Sequence, residues 1–140
     1  MAGKTSSGPA RLRAFREQRE RLNARTLETS PLETKRFFAL DSAAYREGAL
    51  PAATKEMLGL VASLVLRCDD CVTYHLIRCR EEGVSRDKLA EVLNVGLVVG
   101  GSIVIPHLRR ATEMQDALEA ERAGRPRRRK RPHEHQGETS

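Results

Sequence analysis

The 140-residue sequence contains no tryptophan, three phenylalanines and two tyrosines, so aliphatic side chains must supply almost all of its core. This composition suits a helical bundle better than a β-sandwich. No apolar run reaches the roughly 18 residues that a membrane-spanning helix requires, so we expect no membrane partner. The N-terminus has no apolar segment of the signal-peptide type, which predicts a cytoplasmic protein. Three cysteines in such a chain favour thiol or metal chemistry over a disulfide framework.

The formal net charge of +6 is concentrated at the two ends of the chain. Residues 1–26 and residues 122–140 each hold seven Lys or Arg and two Glu, whereas residues 27–121 hold 11 basic and 15 acidic residues. We therefore predict a basic, partly helical N-terminal arm (1–28), a helical domain (29–121) and a disordered basic C-terminal tail (122–140). Basic runs attract phosphate only non-specifically, and a dedicated nucleic-acid partner is not expected.

Apolar residues recur at helical spacing along most of the chain, and no segment shows the period-two alternation of a β-strand. This pattern predicts an all-α fold, a compact helical bundle. Ser30 and Ser85 are predicted to cap the N-termini of two helices, and Gly48 is predicted to close the first of these. The predicted helices cover residues 10–24, 31–46, a segment around Glu56 that ends near residue 67, 71–82, a segment that follows Ser85, and 102–120.

The most specific chemical pattern is Cys68-Asp69-Asp70-Cys71 followed by His75. Cysteines three residues apart in a helical turn are close enough to form a disulfide after a small adjustment. If Cys71 begins a helix, the unpaired N–H groups and the helix dipole stabilise its thiolate. His75 would lie one turn further along the same face, where an imidazole can take or return a proton. Glu56, at the start of a long apolar run, would be a second proton carrier if its helix folds back beside the cysteines.

Two other interpretations stay open at this level. The metal-site interpretation uses the set Cys68, Cys71, His75 and Cys79. One continuous helix would separate the first and last of these by roughly 16 Å, too far for one zinc ion, but a broken helix could present three of them together with Glu56. Alternatively, the cysteines are small core side chains and His75 is a structural histidine; for Cys79 alone we favour a core position. The two acidic residues between Cys68 and Cys71 favour an accessible turn and therefore the dithiol.

Several further motifs accompany the cysteines. Besides the spacing of Glu56, Cys68, Cys71 and His75, they are Phe38-Ala39-Leu40-Asp41, Gly48-Ala49-Leu50, Lys55, Gly83-Val84-Ser85, Glu91 and Gly100-Gly101. Together they resemble the carboxymuconolactone decarboxylase-like superfamily, and more closely its alkyl hydroperoxidase D-like branch, over roughly residues 37–118. The resemblance implies an all-α fold of the alkyl hydroperoxidase D-like type that assembles into trimers or hexamers, and a thiol-based peroxidase or disulfide reductase activity.

The resemblance also implies a role for each residue of the motif. Cys71 would attack the peroxide, and Cys68 would resolve the resulting sulfenic acid to a disulfide. Glu56 and His75 would form the proton relay that activates the thiols. One residue departs from the family pattern, because Asp70 stands where the characterised hydroperoxidase has a histidine that assists the relay. An anion at this position raises the pKa of the neighbouring thiol and opposes formation of the thiolate.

From the sequence we therefore predict a cytoplasmic, homo-oligomeric oxidoreductase that cycles the Cys68/Cys71 dithiol. Its partners would be a peroxide or disulfide substrate and an external thiol reductant, and no bound metal or organic cofactor is required. The alternatives are a non-catalytic helical oligomeric module whose basic arms bind an acidic partner, and a zinc-binding module. These three hypotheses make different predictions. Function would depend on the cysteines in the oxidoreductase, on the C-terminal tail in the non-catalytic module and on bound zinc in the zinc-binding module.

Overall fold

In the computed structural model of the chain, the described residues, 7–125, consist of α-helices joined by turns and contain no β-strand. The helices are α1 (Gly8–Thr29), α2 (Leu32–Ala44), α3 (Ala52–Val65), α4 (Asp69–Glu81), α5 (Arg86–Gly100) and α6 (Ile105–Ala123). A 3₁₀ turn, Ser102–Val104, connects α5 to α6. The predicted all-α fold is confirmed. None of the helices in this part of the chain combines the length and the apolarity needed to cross a bilayer.

The core forms where α3 packs against both α4 and α5, with α6 packed on α4. Its centre consists of leucines that are almost completely excluded from solvent: Leu60 and Leu64 on α3, Leu76 on α4, and Leu89 and Leu93 on α5. Within α3 and within α5, the four-residue spacing puts both leucines on one face of the helix. Burial of each leucine side chain is worth roughly 1.5–3 kcal/mol. These contacts fix α3 beside α4, the two helices that carry the predicted site residues.

α1 lies within the predicted basic arm and packs on α6. Its Leu12 is fully buried in the core. Near the C-terminal end of α6, Glu121 forms an ion pair with Arg16 of α1, with 2.7 Å between the charged atoms. An apolar anchor and a peripheral ion pair therefore hold α1 against the bundle.

The domain limits drawn from the charge distribution remain predictions. They end the helical domain at residue 121, whereas α6 continues to Ala123. Residues 1–6 and 126–140, which include most of the predicted tail, lie outside the described residues.

The predicted N-terminal caps have different outcomes for α2 and α5. Ser85 caps α5 as predicted, because its hydroxyl oxygen accepts a hydrogen bond from the backbone N–H of Lys88 at 3.3 Å. Ser30 does not cap α2, which begins after Pro31 and has no side-chain cap. Ser30 is thus one residue too early for its hydroxyl to reach the free amides of the first turn.

The predicted closure of α2 by Gly48 is wrong. α2 ends at Ala44, four residues earlier. The ammonium group of Lys55 on α3 donates to the carbonyl oxygens of Ala44 at 2.9 Å and Arg46 at 2.6 Å. Because a lysine from the next helix satisfies these terminal carbonyls, no glycine in the left-handed conformation is needed.

α3 ends in a turn that makes Cys68 the N-cap of α4. Arg67 has a φ of 59°, in the left-handed region. The backbone N–H groups of Arg67 and Cys68 donate to the carbonyl oxygens of Leu64 and Ser63, each at 3.0 Å. This pair of bonds defines a Schellman motif, which usually has glycine at the left-handed position. The same motif ends α4, where Gly83 has a φ of 82°.

Replacement of Arg67 by glycine is expected to raise the free energy of unfolding by about 0.5–1 kcal/mol. The left-handed conformation is strained for arginine, and glycine removes this backbone strain. The greater conformational entropy of glycine in the unfolded chain cancels only part of the stability gained. Urea denaturation would measure the change. Gly83→Ala, at the same position of the second motif, should lower the free energy of unfolding; a destabilised Arg67→Gly protein would contradict this account.

Candidate active site

Cys68 and Cys71 form a disulfide bond at the N-terminus of α4, with their Cα atoms 5.2 Å apart. The sulfur of Cys68 also accepts a hydrogen bond from the backbone N–H of Cys71, at 3.3 Å. Cys71 is exposed, whereas Cys68 is half buried. On reduction, thiolates at this position would face the unpaired N–H groups of the first turn, which favour negative charge. An incoming molecule therefore reaches Cys71 more readily than Cys68.

Glu56 and His75 form a buried hydrogen-bonded pair between α3 and α4. The side chain of Glu56 is 2% exposed, and its Oε2 lies 2.7 Å from Nδ1 of His75. Its other carboxylate oxygen lies 3.5 Å from Nε of Arg78. A carboxylate excluded from water is tolerated only with such partners. When Glu56 is ionised, it accepts a hydrogen bond from the Nδ1–H group of His75. Nε2 is then the nitrogen through which His75 exchanges protons with the surroundings.

The imidazole of His75 fits into a space that a glycine provides. Tyr45 and Tyr74 flank it, each with its ring centroid 5.2 Å from that of the imidazole. On the α3 side, a Cβ atom added to Gly59 would lie 2.6 Å from Cε1 of His75 and 2.7 Å from the hydroxyl oxygen of Tyr45. A Cβ atom in a folded protein does not approach other heavy atoms so closely, so a larger residue at position 59 must displace the rings of both His75 and Tyr45 or shift α3.

Gly59→Ala is expected to lower the free energy of unfolding by about 1–3 kcal/mol, as overpacking in a well-packed core does. It should also impair any chemistry that depends on His75, because the added Cβ would lie 2.8 Å from Nε2 of the imidazole. Urea denaturation would measure the loss. Gly48→Ala is the matched control, since its added Cβ would meet only Nζ of Lys55, at 3.7 Å. Equal stability of Gly59→Ala and the parent protein would refute the steric argument.

A pocket of about 440 Å³ opens beside the disulfide. Cys71 and His75 both line it, so the exposed sulfur and the imidazole share one space. Cys68 and Glu56 are not among the lining residues; Cys68 is joined to Cys71 through the disulfide, and Glu56 lies behind His75. The remaining lining residues come from α1, from α2 and its C-terminal end, and from α4: Phe15, Gln18, Arg19, Leu22, Asn23, Asp41, Tyr45, Asp70 and Tyr74.

α1 and two tyrosines also line this pocket, and neither was predicted from the sequence. The guanidinium carbon of Arg19 lies 4.0 Å from the ring centroid of Tyr74, so α1 reaches over α4 through a cation–π contact. Burial, followed by the negative charge of Asp41, raises the pKa of Tyr45 above its ordinary value. Tyr74 is adjacent to His75 in the sequence, which is a local signal, but the approach of Arg19 and Tyr45 depends on tertiary packing.

Cys79 takes no part in the pocket. It is fully buried in the core, and this burial, followed by the charge of Glu56, raises the pKa of its thiol from 9.0 to about 12. Between residues 7 and 125, no group of three or more His, Cys, Asp or Glu side chains is arranged to hold a metal ion. The zinc-site interpretation therefore gains no support from the structure.

The high pKa of Cys79 predicts that iodoacetamide at pH 8 modifies the reduced native protein at Cys68 and Cys71 but not at Cys79, which should react only after unfolding. Peptide mass mapping would show this. The unfolded state releases the Cys79 proton near pH 9 and the folded state near pH 12, so this group lowers stability as the pH rises between these values. The parent protein should therefore lose stability relative to Cys79→Ala over that interval; a constant difference would contradict the assignment.

The chain is similar to members of one protein family. A family model described as the carboxymuconolactone decarboxylase family matches residues 31–114. An uncharacterized protein of Cupriavidus necator is 32% identical over 93 residues, which make up 66% of this chain and 82% of that protein.

Solved structures show the same similarity. A crystal structure of the Thermotoga maritima protein TM1620 has 56% sequence identity and a TM-score of 0.75, covering 79% of this chain and 98% of that one. A further crystal structure of TM1620, with a TM-score of 0.74, describes a carboxymuconolactone decarboxylase family protein for which a part in an antioxidative response has been suggested. A Legionella pneumophila protein of that family, 24% identical over 79% of this chain and 96% of its own, shares the fold with a TM-score of 0.67.

Proposed function

Because this chain belongs to the carboxymuconolactone decarboxylase family, we propose that it is a thiol-dependent oxidoreductase that cycles the Cys68–Cys71 dithiol as a peroxidase or disulfide reductase. The observation that carries this proposal is the accessible disulfide at a helix N-terminus, in a pocket that Cys71 shares with the Glu56-bonded His75. The antioxidative part suggested for TM1620 supports the same class of chemistry.

In the oxidative half of the cycle, Nε2 of His75 takes the thiol proton of Cys71, and the resulting thiolate attacks the terminal oxygen of a hydroperoxide. The O–O bond breaks, Cys71 becomes a sulfenic acid, and the leaving alkoxide takes a proton from His75. His75 then takes the thiol proton of Cys68. The thiolate of Cys68 attacks the sulfenic sulfur, forms the disulfide and releases hydroxide, which takes that proton back from His75 to become water. Two electrons have passed from the dithiol to the peroxide, and the buried Glu56 keeps His75 oriented for both proton transfers.

In the reductive half, an external dithiol restores the two cysteines. Its thiolate attacks one sulfur to form a mixed disulfide, and its second thiol displaces the enzyme thiol, so that the donor leaves as a disulfide. In the disulfide reductase activity, the reduced Cys68 and Cys71 take the part of the attacking dithiol, and the substrate is the disulfide that they reduce. No metal or organic cofactor enters either half. The cytoplasmic location predicted from the sequence suits such a cycle, because thiol reductants are abundant there.

The first test is the mass of the intact protein after exposure of its reduced form to hydrogen peroxide, with free thiols trapped by iodoacetamide. The proposal predicts one disulfide between Cys68 and Cys71, seen as two thiols protected from alkylation and recovered with dithiothreitol. If both thiols stay free, or if Cys71 is slowly converted only to sulfinic and sulfonic acids, the protein is not a thiol peroxidase. Formation of the disulfide with small organic disulfides but not with peroxide would select the reductase activity.

We also propose that the chain forms a homotrimer or homohexamer, as the resemblance implies. α5 presents a solvent-facing stripe of Val95, Val98 and Val99, of which Val98 is 77% exposed. α2 adds Phe37 and Leu40, which are 66% and 67% exposed. Apolar patches of this kind on a small protein mark association surfaces. Light scattering after size-exclusion chromatography should give three or six subunits, and Val98→Glu should shift the mass toward the monomer; a monomeric parent protein would reject the proposal.

A further inference from the structure

A second cluster of charged groups joins the first turn of α4 to α6. Asp69, the first residue of α4, is bound by two side chains of α6. Its Oδ1 lies 2.8 Å from Nδ1 of His107, and its Oδ2 lies 2.9 Å from a terminal nitrogen of Arg110. The same nitrogen of Arg110 lies 3.3 Å from Nδ1 of His107. Since both nitrogens cannot donate to each other, we assign the shorter contact as the hydrogen bond: Nδ1–H of His107 donates to Asp69.

Asp69 is a carboxylate within the turn that carries both cysteines. It lies between Cys68 and Cys71 in the first turn of α4, and Asp70 is its neighbour. A carboxylate this close to a thiol disfavours the thiolate and raises the thiol pKa. The two acids differ in environment: Asp70 is exposed and lines the pocket, whereas both oxygens of Asp69 have partners on α6.

The contact with α6 also matters for the geometry of the reduced protein. In the oxidised state the disulfide itself ties Cys68 to Cys71. Reduction removes this covalent link and leaves the first turn of α4 held by weaker bonds. The hydrogen bonds from α6 to Asp69 do not involve either sulfur, so opening the disulfide does not itself remove them.

We infer that His107 and Arg110 are positioning residues for the dithiol, which hold the first turn of α4 and compensate the charge of Asp69 so that the reduced Cys71 stays reactive. The inference rests on the proposed thiol function, but it concerns the reactivity of the thiol and can be tested without peroxide turnover. Arg110 is permanently charged, and its side chain is 54% exposed, so it compensates Asp69 at every pH of interest without a buried charge.

The other charged and titratable groups that share the pocket with Cys71 lie on different elements. They are Arg19 on α1, Asp41 on α2, Tyr45 at its end, and Asp70, Tyr74 and His75 on α4. Substitutions on α6 leave all of them unchanged. A change in Cys71 reactivity after substitution on α6 therefore reports on the contact with Asp69.

The experiment measures the rate of iodoacetamide alkylation of Cys71 between pH 5 and 10 in the Cys68→Ser background, where Cys71 is the one accessible thiol. Arg110→Met is expected to move the midpoint of the profile to higher pH and to slow alkylation at pH 7 by about threefold to tenfold, since one pKa unit is a tenfold change in thiolate fraction. His107→Ala should act in the same direction. Arg110→Lys, which keeps the charge, should stay closer to the parent protein.

Two controls separate charge compensation from general effects. Arg109→Met removes the same charge from the neighbouring exposed residue, which does not contact Asp69, and should leave the profile near that of the parent. Asp69→Asn combined with Arg110→Met removes both charges and should restore the midpoint. Equal shifts for Arg109→Met and Arg110→Met, or no recovery in the double variant, would overturn the inference. Peroxide turnover is not part of this measurement, so a failure of the proposed function would be seen separately.

Discussion

Replacement of Cys71 by serine is expected to reduce peroxide-dependent oxidation of a thiol reductant to the uncatalysed background, a loss of roughly 10³-fold or more. A hydroxyl cannot form the sulfenic acid on which the cycle depends. Replacement of Cys68 by serine should also stop turnover, but one step later, because Cys71 can still attack peroxide and then has no resolving partner. The two variants therefore fail in distinguishable ways.

The measurement combines steady-state turnover with trapping of sulfenic acid by dimedone, read by mass spectrometry. Cys68→Ser should carry one dimedone adduct on Cys71, and Cys71→Ser should carry none. Cys79→Ala is the matched control, because this cysteine is buried in the core away from the pocket. An adduct on Cys68 in the Cys71→Ser protein would reverse the assigned order of attack, and retained turnover in both single variants would reject the dithiol mechanism.

The rival interpretation as a non-catalytic module makes the opposite prediction for the same set of variants. If the basic arms bind an acidic partner, deletion of residues 122–140 should abolish function, whereas both cysteines should be dispensable. The dithiol mechanism predicts that turnover survives this deletion, since the pocket is lined by residues between Phe15 and His75. Comparing the deletion with Cys71→Ser in one assay therefore decides between the two classes of function.

Replacement of Glu56 by glutamine is expected to lower turnover by about 10²–10³-fold, within the range of general acid–base contributions. Glutamine has the shape of glutamate and its amide oxygen can still accept a hydrogen bond from Nδ1–H of His75, but the negative charge beside the imidazole is gone. His75 then becomes a weaker proton carrier for both the thiol and the leaving oxygen.

Glu82→Gln is the matched control for this substitution. Glu82 also binds Arg78, at 3.2 Å, but it does not contact His75 or line the pocket. Kinetics should separate the two variants, with Glu82→Gln near the parent protein, while thermal unfolding checks that both remain folded. Similar losses for both would indicate that Arg78, and not the Glu56–His75 pair, carries the effect.

Local sequence was sufficient for the helical class of the fold and for the pairing of Cys68 with Cys71. The apolar spacing of Leu60 with Leu64 and of Leu89 with Leu93 acts within one turn, so it predicts helix and buried face without knowledge of the neighbours. The cap of Ser85 on α5 is equally local. A Cys-x-x-Cys pair needs only one turn of backbone to bring its sulfur atoms together, which is why the dithiol could be predicted before the fold.

Contacts between distant segments could be decided only by tertiary structure. The pairing of Glu56 with His75 spans 19 positions and required α3 to pack beside α4. The end of α2 was mispredicted because its cap is Lys55 from the next helix, and the partner of His107, Asp69, is 38 positions away. Arg19 and Tyr45 line the pocket because α1 and the end of α2 pack beside α4, which the local sequence does not specify. Hydrogen bonds and side-chain contacts act over a few ångströms, so the relative placement of helices, which no local pattern contains, determines which residues complete the site.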